Sequence, residues 1–430
     1  MRGVSKRIVK YYDNLTDRQI LLLAFMISLA GRLVVILFLG QEQNLYEYGG
    51  IAQNLVSGNG FSFDAFPPAT PIQETCVMPP VYPYLLAVSY FLFGVNTTAI
   101  AFIQIIQSIV GAATVFPLYY LARDAYSKRT AVISVLIFAV YPDFLHWSYL
   151  IQQITFTTFS VVSILYLYRF YDRNPSIRRA IAFGLVAAFG ILVDAVIVLI
   201  LSLLFFWMLL SLIKTKLNHR TSSTKDIKLR VVGLIVSIAV CGLVITPWEL
   251  RCLNVYDGNF IFVKASGFNL WRGNNPNYTN EGIPPWVTIN ILMDLNLTKE
   301  GDIDGALGQL AGEYMLTHIP ETLANAIQKG IEFWWFPKAF PEESPLLRQI
   351  FYAPLLVLAI VALIIDRRNL IGIIHLLLPL IAFTILYSMF FVLAHHRIPI
   401  EPILFIFTAR GMEYTESRLS IKSVLSVTSS

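Results

Sequence analysis

Long apolar stretches separated by short polar connections run through the whole chain. A helix needs about 20 predominantly apolar residues to cross the hydrocarbon core of a bilayer. The candidate spans are Ile20–Leu39, Ala99–Ala122, Thr130–Trp147, Tyr149–Tyr168, Ala180–Val193, Val196–Ile213, Val231–Pro247, Gln349–Ile365, Leu370–Leu393 and Ile398–Ala409. This pattern predicts an all-α, polytopic membrane protein with about 10 transmembrane helices, within a range of about 9–12.

Composition and charge agree with this fold class and give the topology. Hydrophobic residues make up 56% of the chain and charged residues 14%, whereas soluble domains contain roughly 45–50% and about 25%. Of the 32 Lys and Arg residues, 23 fall on one side of the predicted spans and 8 on the other. Because cytoplasmic loops carry the excess of Lys and Arg, we expect a multi-pass protein of the plasma (bacterial inner) membrane with both termini in the cytoplasm.

The same topology divides the chain into regions. These are a cytoplasmic N-terminus (1–18), a transmembrane core (19–247) with an outer loop at 41–98, a large outer, periplasmic loop region (248–348), C-terminal transmembrane helices (349–416) and a cytoplasmic tail (417–430). The tail is rich in Ser and is expected to be disordered.

The first outer loop contains two segments that resemble interfacial helices. Tyr46–Val56 places Tyr48, Ile51 and Ala52 on one face, and a Gly-Asn-Gly sequence follows it, which predicts an amphipathic helix that ends there. Pro79–Gly94 is apolar but only 16 residues long, with three prolines near its start. It is too short for a span and is expected to be an interfacial or re-entrant helix.

An acidic loop and a group of cations are predicted on the same side of the membrane. Residues 41–78 contain four carboxylates and no Lys or Arg. The outer basic candidates are Arg251, Arg272, His395, His396 and Arg397. A carboxylate can act as a general base, and Arg binds phosphate oxygens through its planar fork. Together they are typical of a site that activates an acceptor and holds an anionic leaving group.

Five short sequences, in order along the chain, resemble one family of enzymes. They are EYGGIAQNLVSGNGFSFD (47–64), MPPVYPYLLAVSYFLFG (78–94), TPWELR (246–251), LWRGNNP (270–276) and RIPIEP (397–402). They are similar to sequences of the GT-C-type glycosyltransferases of bacterial membranes, the relatives of protein O-mannosyltransferase and of the lipid A aminoarabinose transferase. The resemblance implies a multi-span helical fold, a polyprenyl-phosphate-linked sugar donor and an acid in the first outer loop that deprotonates or positions the acceptor.

This interpretation assigns roles to individual residues. The candidates are Glu47 as the catalytic group and Tyr48, Arg251, Trp271, Asn274, Asn275, His396 and Arg397 as substrate-binding residues. Glu47 would be the base or the acceptor-orienting group, and Arg251 and Arg397 would hold the departing phosphate. Trp271 and the two asparagines would shape the site around the sugar. No metal or cofactor is expected.

The chain also departs from the family pattern. Asn44 stands where members commonly have an Asp, Gln152 and Gln153 where a second acid often occurs, Asp194 where an Arg often follows the fifth span, and Met78 where a cation often precedes the Pro-Pro pair. These departures leave two alternatives to the enzyme: a catalytically impaired relative that binds lipid-linked glycans, or a transporter of lipid-linked sugars.

The expected partners are the polyprenyl-phosphate-linked donor, a glycan, lipid or protein acceptor, and membrane lipids, without nucleic acid. The sequence identifies neither the sugar nor the acceptor.

Two residue pairs remain open. Arg32 is a charge inside a span and needs a partner, for which Asp194 is one candidate. Cys76 and Cys252 could form a disulfide in an oxidising compartment.

Overall fold

The computed structural model describes residues 15–40, 45–64, 71–217, 224–256, 258, 266–276, 297–336 and 346–428. Its helices are α1 (Asp17–Leu39), α2 (Tyr46–Val56), α3 (Val81–Phe93), α4 (Thr97–Ala113), α5 (Val115–Ala125), α6 (Lys128–Val140), α7 (Pro142–His146), α8 (Ile154–Arg173), α9 (Ile177–Val193), α10 (Ile197–Leu217), α11 (Thr224–Val255), α12 (Ser266–Gly273), α13 (Glu300–Thr317), α14 (Ile319–Trp334), α15 (Leu346–Ile365), α16 (Ile374–Met389) and α17 (Glu401–Thr428), with a 3₁₀ helix at Ala394–Ile400. Two antiparallel strands, β1 (Ser62–Phe63) and β2 (Gln73–Glu74), form a short hairpin.

The predicted all-α membrane architecture is confirmed in its main features. Every predicted span overlaps one or two helices. Among the described residues, four helical segments are long and apolar enough to cross a bilayer by themselves: Asp17–Leu39, Thr97–Ala125, Ile227–Val255 and Leu346–Ile365. Large apolar side chains are exposed on their outer faces, such as Phe38 at 81%, as expected where lipid replaces water. The count of about ten spans remains a prediction.

The first outer loop folds against the ends of the long helices. The amphipathic helix is α2, with the predicted bounds, and its Tyr48, Ile51 and Ala52 are buried against neighbouring helices. Gly58 has a φ of 84°, a conformation that glycine adopts without strain, and the chain turns there into the hairpin. The short apolar segment is also helical, as α3, and packs on α2 and α4.

Cys76 and Cys252 form a disulfide, which ties the first outer loop to the end of α11. The link closes a separation of 176 residues. It fixes the loop that carries α2 relative to the helix that leads into the large outer region.

The structure corrects three expectations. The membrane span predicted over Val231–Pro247 lies within a longer helix, α11, which continues to Val255 because the turns after the proline pack against the first outer loop. The tail predicted to be disordered from residue 417 is helical as far as Thr428. Arg32 does not pair with Asp194: its guanidinium donates to Ser28 on the preceding turn and lies 5.2 Å from the Phe138 ring centre.

Candidate active site

One end of the helical bundle holds a cleft with a volume of about 570 Å³. Its walls come from α2, the segment before α3, the start of α8, the α9–α10 junction, α12, the end of α16 and the 3₁₀ helix. The polar side chains that line it are Glu47, Tyr48, Gln152, Gln153, Asp194, Asn269, Arg272, Tyr387, His395 and His396. Ligand pockets commonly enclose about 300–1,000 Å³, so the cleft is large enough for a sugar and its phosphate.

Glu47 lies in the first turn of α2 and lines the cleft. The carboxylate neither accepts a hydrogen bond from nor forms an ion pair with any residue that the structure describes. The next side chain, Tyr48, is buried and donates its hydroxyl to Oε1 of Gln153. Burial, followed by the charges of Asp194 and Glu47, raises the pKa of Tyr48 well above its usual value. Two carboxylates are therefore close to this phenol, and one of them, Glu47, has no hydrogen-bond partner in the part of the chain that the structure describes.

Asp194 is the second carboxylate of the cleft. It ends α9, accepts a hydrogen bond from the Thr157 hydroxyl at 3.1 Å and another from the backbone N–H of Val196 at 3.1 Å. Burial raises its pKa. The two donors hold its oxygens in place, so Asp194 is a fixed acidic group beside Tyr48. In the sequence, this position stands out because family members often have an Arg there.

Arg272 supplies the positive charge of the cleft. Its guanidinium carbon lies 3.9 Å from the Phe391 ring centre and 5.7 Å from that of Phe268. Burial lowers its pKa, and the negative charge of Glu47 partly offsets this effect. Among the residues described, none accepts a hydrogen bond from this guanidinium. The arrangement leaves a half-buried cation beside two aromatic rings, with its donors available to an anion.

The helix that carries Arg272 is held from behind by Lys329. This ammonium is 1% exposed and donates to Gly273 O at 3.0 Å, Asn274 Oδ1 at 3.1 Å and Met389 O at 3.3 Å. Burial lowers its pKa to about 8. Gly273 makes the close contact possible, because a Cβ there would lie 2.3 Å from Phe390 O. Lys329 thus joins the end of α12 to the end of α16.

His396 lines the cleft as expected, but its ring is engaged by the protein. Nδ1 accepts from the backbone N–H of Leu393 at 3.1 Å, the ring bonds to the backbone of Phe391, and it stacks on Tyr387 at 4.2 Å. Burial, with the nearby His395 and Arg272, lowers its pKa well below the usual value. A neutral imidazole fixed in this way shapes the wall of the cleft.

The other residues of the LWRGNNP sequence lie behind the wall. Trp271 is buried against Ile303 and Leu307 of α13. Asn274 donates to Leu270 O at 3.0 Å and Met389 O at 2.6 Å, and Asn275 donates to Trp271 O at 2.7 Å. The structure therefore corrects the expectation that these three side chains surround a sugar: they hold α12 in place, and the residue between them that lines the cleft is Arg272.

Arg251 is also placed differently from expectation. Its guanidinium donates to Thr75 O at 2.7 Å, to Phe61 O at 2.8 Å and to Cys76 Sγ at 3.0 Å. These acceptors belong to the first outer loop, next to the disulfide, and Arg251 does not line the cleft. It acts as a clamp between α11 and that loop.

Arg397 is a core residue. It is 1% exposed, pairs with Glu401 at 2.9 Å, and donates to the backbone oxygens of Phe333 and Trp335, each at 2.8 Å. Its guanidinium carbon lies 3.9 Å from the Tyr352 ring centre. With its donors used inside the protein, Arg397 does not face the cleft, contrary to the prediction that it holds the phosphate.

Of the positions that depart from the family pattern, Gln152, Gln153, Met78 and Asp194 all line the cleft. Asn44 lies outside the described residues. Sequence reasoning named Arg272 as a cation but did not select it, and it missed Asp194 and Lys329 as parts of the site. An acid at the end of a membrane span is a signal for a functional site, and it could have identified Asp194.

Known proteins resemble this chain in sequence family and in fold. A family model described as dolichyl-phosphate-mannose-protein mannosyltransferase matches residues 77–242. The apo oligosaccharyltransferase of Archaeoglobus fulgidus superposes with a TM-score of 0.60 at 15% identity, covering 97% of this chain and 52% of that one. The same organism's oligosaccharyltransferase AglB, in complex with an inhibitory peptide and a dolichol-phosphate, gives a TM-score of 0.59 at 16% identity, with 95% and 51% covered. No curated protein sequence matches the chain.

The chain spans about half the length of these solved relatives. The predicted resemblance to GT-C-type glycosyltransferases is confirmed, and the chain has the fold of the Archaeoglobus oligosaccharyltransferase.

Proposed function

We propose that the protein is a membrane glycosyltransferase that moves a sugar from a polyprenyl-phosphate-linked donor to an acceptor, with inversion, on the outer (periplasmic) face. The observation that carries this proposal is that a carboxylate, Glu47, and a guanidinium, Arg272, line one cleft, and that neither forms a hydrogen bond with any residue that the structure describes. A transfer of this kind needs a base for the acceptor and a cation for the leaving phosphate.

The reaction is a single displacement. The acceptor hydroxyl gives its proton to the Glu47 carboxylate while its oxygen attacks the anomeric carbon of the sugar. The bond from that carbon to the phosphate oxygen breaks, and its electron pair leaves with the polyprenyl phosphate. Arg272 stabilises the charge that develops on this group, because a planar fork matches phosphate oxygens. Attack opposite to the leaving group inverts the anomeric centre.

Other residues of the cleft position the reactants. Asp194 is fixed by Thr157 and a backbone N–H and is placed to accept hydrogen bonds from sugar hydroxyls. Aromatic side chains of the wall, including Phe390 and Phe391, give an apolar surface for the first isoprene unit. The charges predict a protein of the plasma (bacterial inner) membrane with both termini in the cytoplasm. In that orientation the cleft would lie on the outer side.

Release of undecaprenyl phosphate tests the proposal. Purified protein is incubated with a panel of radiolabelled undecaprenyl-phosphate sugars and a membrane extract as the source of acceptor, and the lipid product is separated by thin-layer chromatography. Glu47→Gln is expected to lower the release rate by at least about 100-fold, as for loss of a general base, while binding of undecaprenyl phosphate is retained.

Glu74→Gln is the matched control, because Glu74 is an exposed acid of the same loop that does not line the cleft. It should retain the wild-type rate. Full turnover by Glu47→Gln would refute the assignment of the base. Transport of intact donor across liposomes without cleavage would replace the enzyme with a transporter, and binding without cleavage by the wild type would indicate an impaired relative.

A further inference from the structure

A second cavity, with a volume of about 460 Å³, lies between α5 and α8. Ile154, at the start of α8, lines the cleft, whereas Arg173, at its last residue, lines this second cavity. A helix of 20 residues is about 30 Å long, which equals the thickness of the hydrocarbon core. The two cavities are therefore separated by the length of a membrane span.

The second cavity carries an excess of positive charge. Arg123, Arg169 and Arg173 line it together with one carboxylate, Asp124. Asp124 accepts from Nε of Arg169 at 3.0 Å and pairs with Nε of Arg173 at 2.5 Å. Asp172 also accepts from Nη1 of Arg169 at 3.1 Å, Asp124 O accepts from Nη2 of Arg173 at 3.2 Å, and Asp17 pairs with Arg123. Among the described residues, none accepts a hydrogen bond from Nη2 of Arg169 or Nη1 of Arg173, so these two donors remain for a ligand. The side chains of Arg123 and Arg173 are 44% and 54% exposed.

Aromatic rings stand beside these charges. Tyr120 and Phe170 line the same cavity and are 39% and 40% exposed, and the Arg179 guanidinium lies 3.9 Å from the Phe170 ring centre. Exposed aromatic rings next to Arg are typical of the depth at which lipid head groups lie. The cavity thus presents cations for a phosphate beside an apolar surface for the acyl chains.

We propose that this cavity binds the phosphate head group of an anionic phospholipid, on the membrane face opposite to the cleft. Basic pockets between transmembrane helices bind such head groups, and Arg forks suit their phosphate oxygens. The site is independent of the proposed transferase reaction, since it shares no residue with the cleft.

Native mass spectrometry of the detergent-solubilised full chain tests this site by titration with phosphatidylglycerol and with phosphatidylcholine of the same acyl chains. The wild type should bind phosphatidylglycerol more tightly than phosphatidylcholine. The double variant Arg123→Gln/Arg173→Gln should lose about 30-fold in apparent affinity for phosphatidylglycerol, from two arginine contacts. Arg367→Gln/Arg368→Gln is the matched control, because both arginines are exposed in the turn after α15 and neither lines the cavity. It should change the affinity by less than about twofold.

Wild-type protein provides a second measurement that does not depend on a variant folding. A photoactivatable phosphatidylglycerol should crosslink to peptides that contain residues 115–125 and 166–174. Equal binding by the double variant and the wild type, an equal loss in the control, or crosslinks elsewhere would overturn the proposal. If free glycerol phosphate displaces the bound phosphatidylglycerol as effectively as unlabelled lipid does, the site binds a soluble phosphate. If undecaprenyl phosphate binds more tightly at these peptides, the site belongs to the carrier lipid. Either outcome overturns the phospholipid assignment.

Discussion

Replacing Arg272 by Gln should weaken the binding of undecaprenyl phosphate without unfolding the protein. The guanidinium has no protein acceptor among the described residues, and its contacts are the faces of Phe391 and Phe268. Gln retains a polar side chain of similar reach but removes the charge and the fork. The substitution therefore breaks no hydrogen bond that the structure describes.

The size of the effect follows from the contacts that a phosphate would make. Hydrogen bonds to charged groups contribute about 1.5–3 kcal/mol net, and each 1.4 kcal/mol changes an equilibrium constant about tenfold. Arg272→Gln should therefore raise the Kd for undecaprenyl phosphate by about 10- to 150-fold. Arg272→Lys should give a smaller increase, because it keeps the charge and loses the bidentate geometry.

Isothermal titration calorimetry in detergent measures these Kd values, with Arg251→Gln as the control. Arg251 is an outer arginine whose donors are committed to Thr75 and Phe61. Its replacement should lower the melting temperature and leave the Kd unchanged. If Arg272→Gln binds undecaprenyl phosphate as tightly as the wild type, or if Arg251→Gln loses as much affinity, the assignment of the phosphate site is wrong.

Three further predictions concern the framework of the cleft. Gly273→Ala should destabilise the protein by about 1–3 kcal/mol through overpacking against Phe390 O, whereas Gly242→Ala, where a Cβ meets nothing within 4 Å, should be neutral or stabilising in thermal melts. Reducing agent should lower the Tm of the wild type but not that of Cys252→Ser, which lacks the disulfide already; an equal shift in both would contradict this. Because burial lowers the pKa of Lys329 from 10.5 to about 8, the unfolded chain binds this proton more tightly than the folded protein, so the linked stability rises with pH between those values. Thermal melts at a series of pH values should show that Lys329→Met removes this rise. If the variant keeps the wild-type dependence of Tm on pH, Lys329 is not its source.

The fold could be predicted where the hydrophobic pattern is strong and local. The period of apolar positions and the glycines that follow gave α2 with its bounds, Tyr46–Val56. The end of α11 could not be predicted in this way. Pro247 is a helix-ending signal, but Trp248 and Cys252 pack against the first outer loop and extend the helix to Val255. Contacts between distant parts of the chain decide the outcome there.

The same limit explains the candidate site. Arg251 and Arg272 are both outer arginines beside aromatic residues, and the sequence gives no reason to prefer one. The acceptors that occupy Arg251 lie 176 and 190 residues away, at Thr75 and Phe61. Which cation stays free for a ligand therefore depends on tertiary contacts. The acidic candidate, Glu47, follows from the family resemblance, as the carboxylate directly before Tyr48, and its role as the base stays a prediction.

A cryo-EM structure with undecaprenyl phosphate bound tests the central claim most directly. The account predicts that the phosphate lies in the cleft against the Arg272 guanidinium, with the Glu47 carboxylate lining the same cavity. A phosphate bound at Arg251 or Arg397, or outside the cleft, would contradict it.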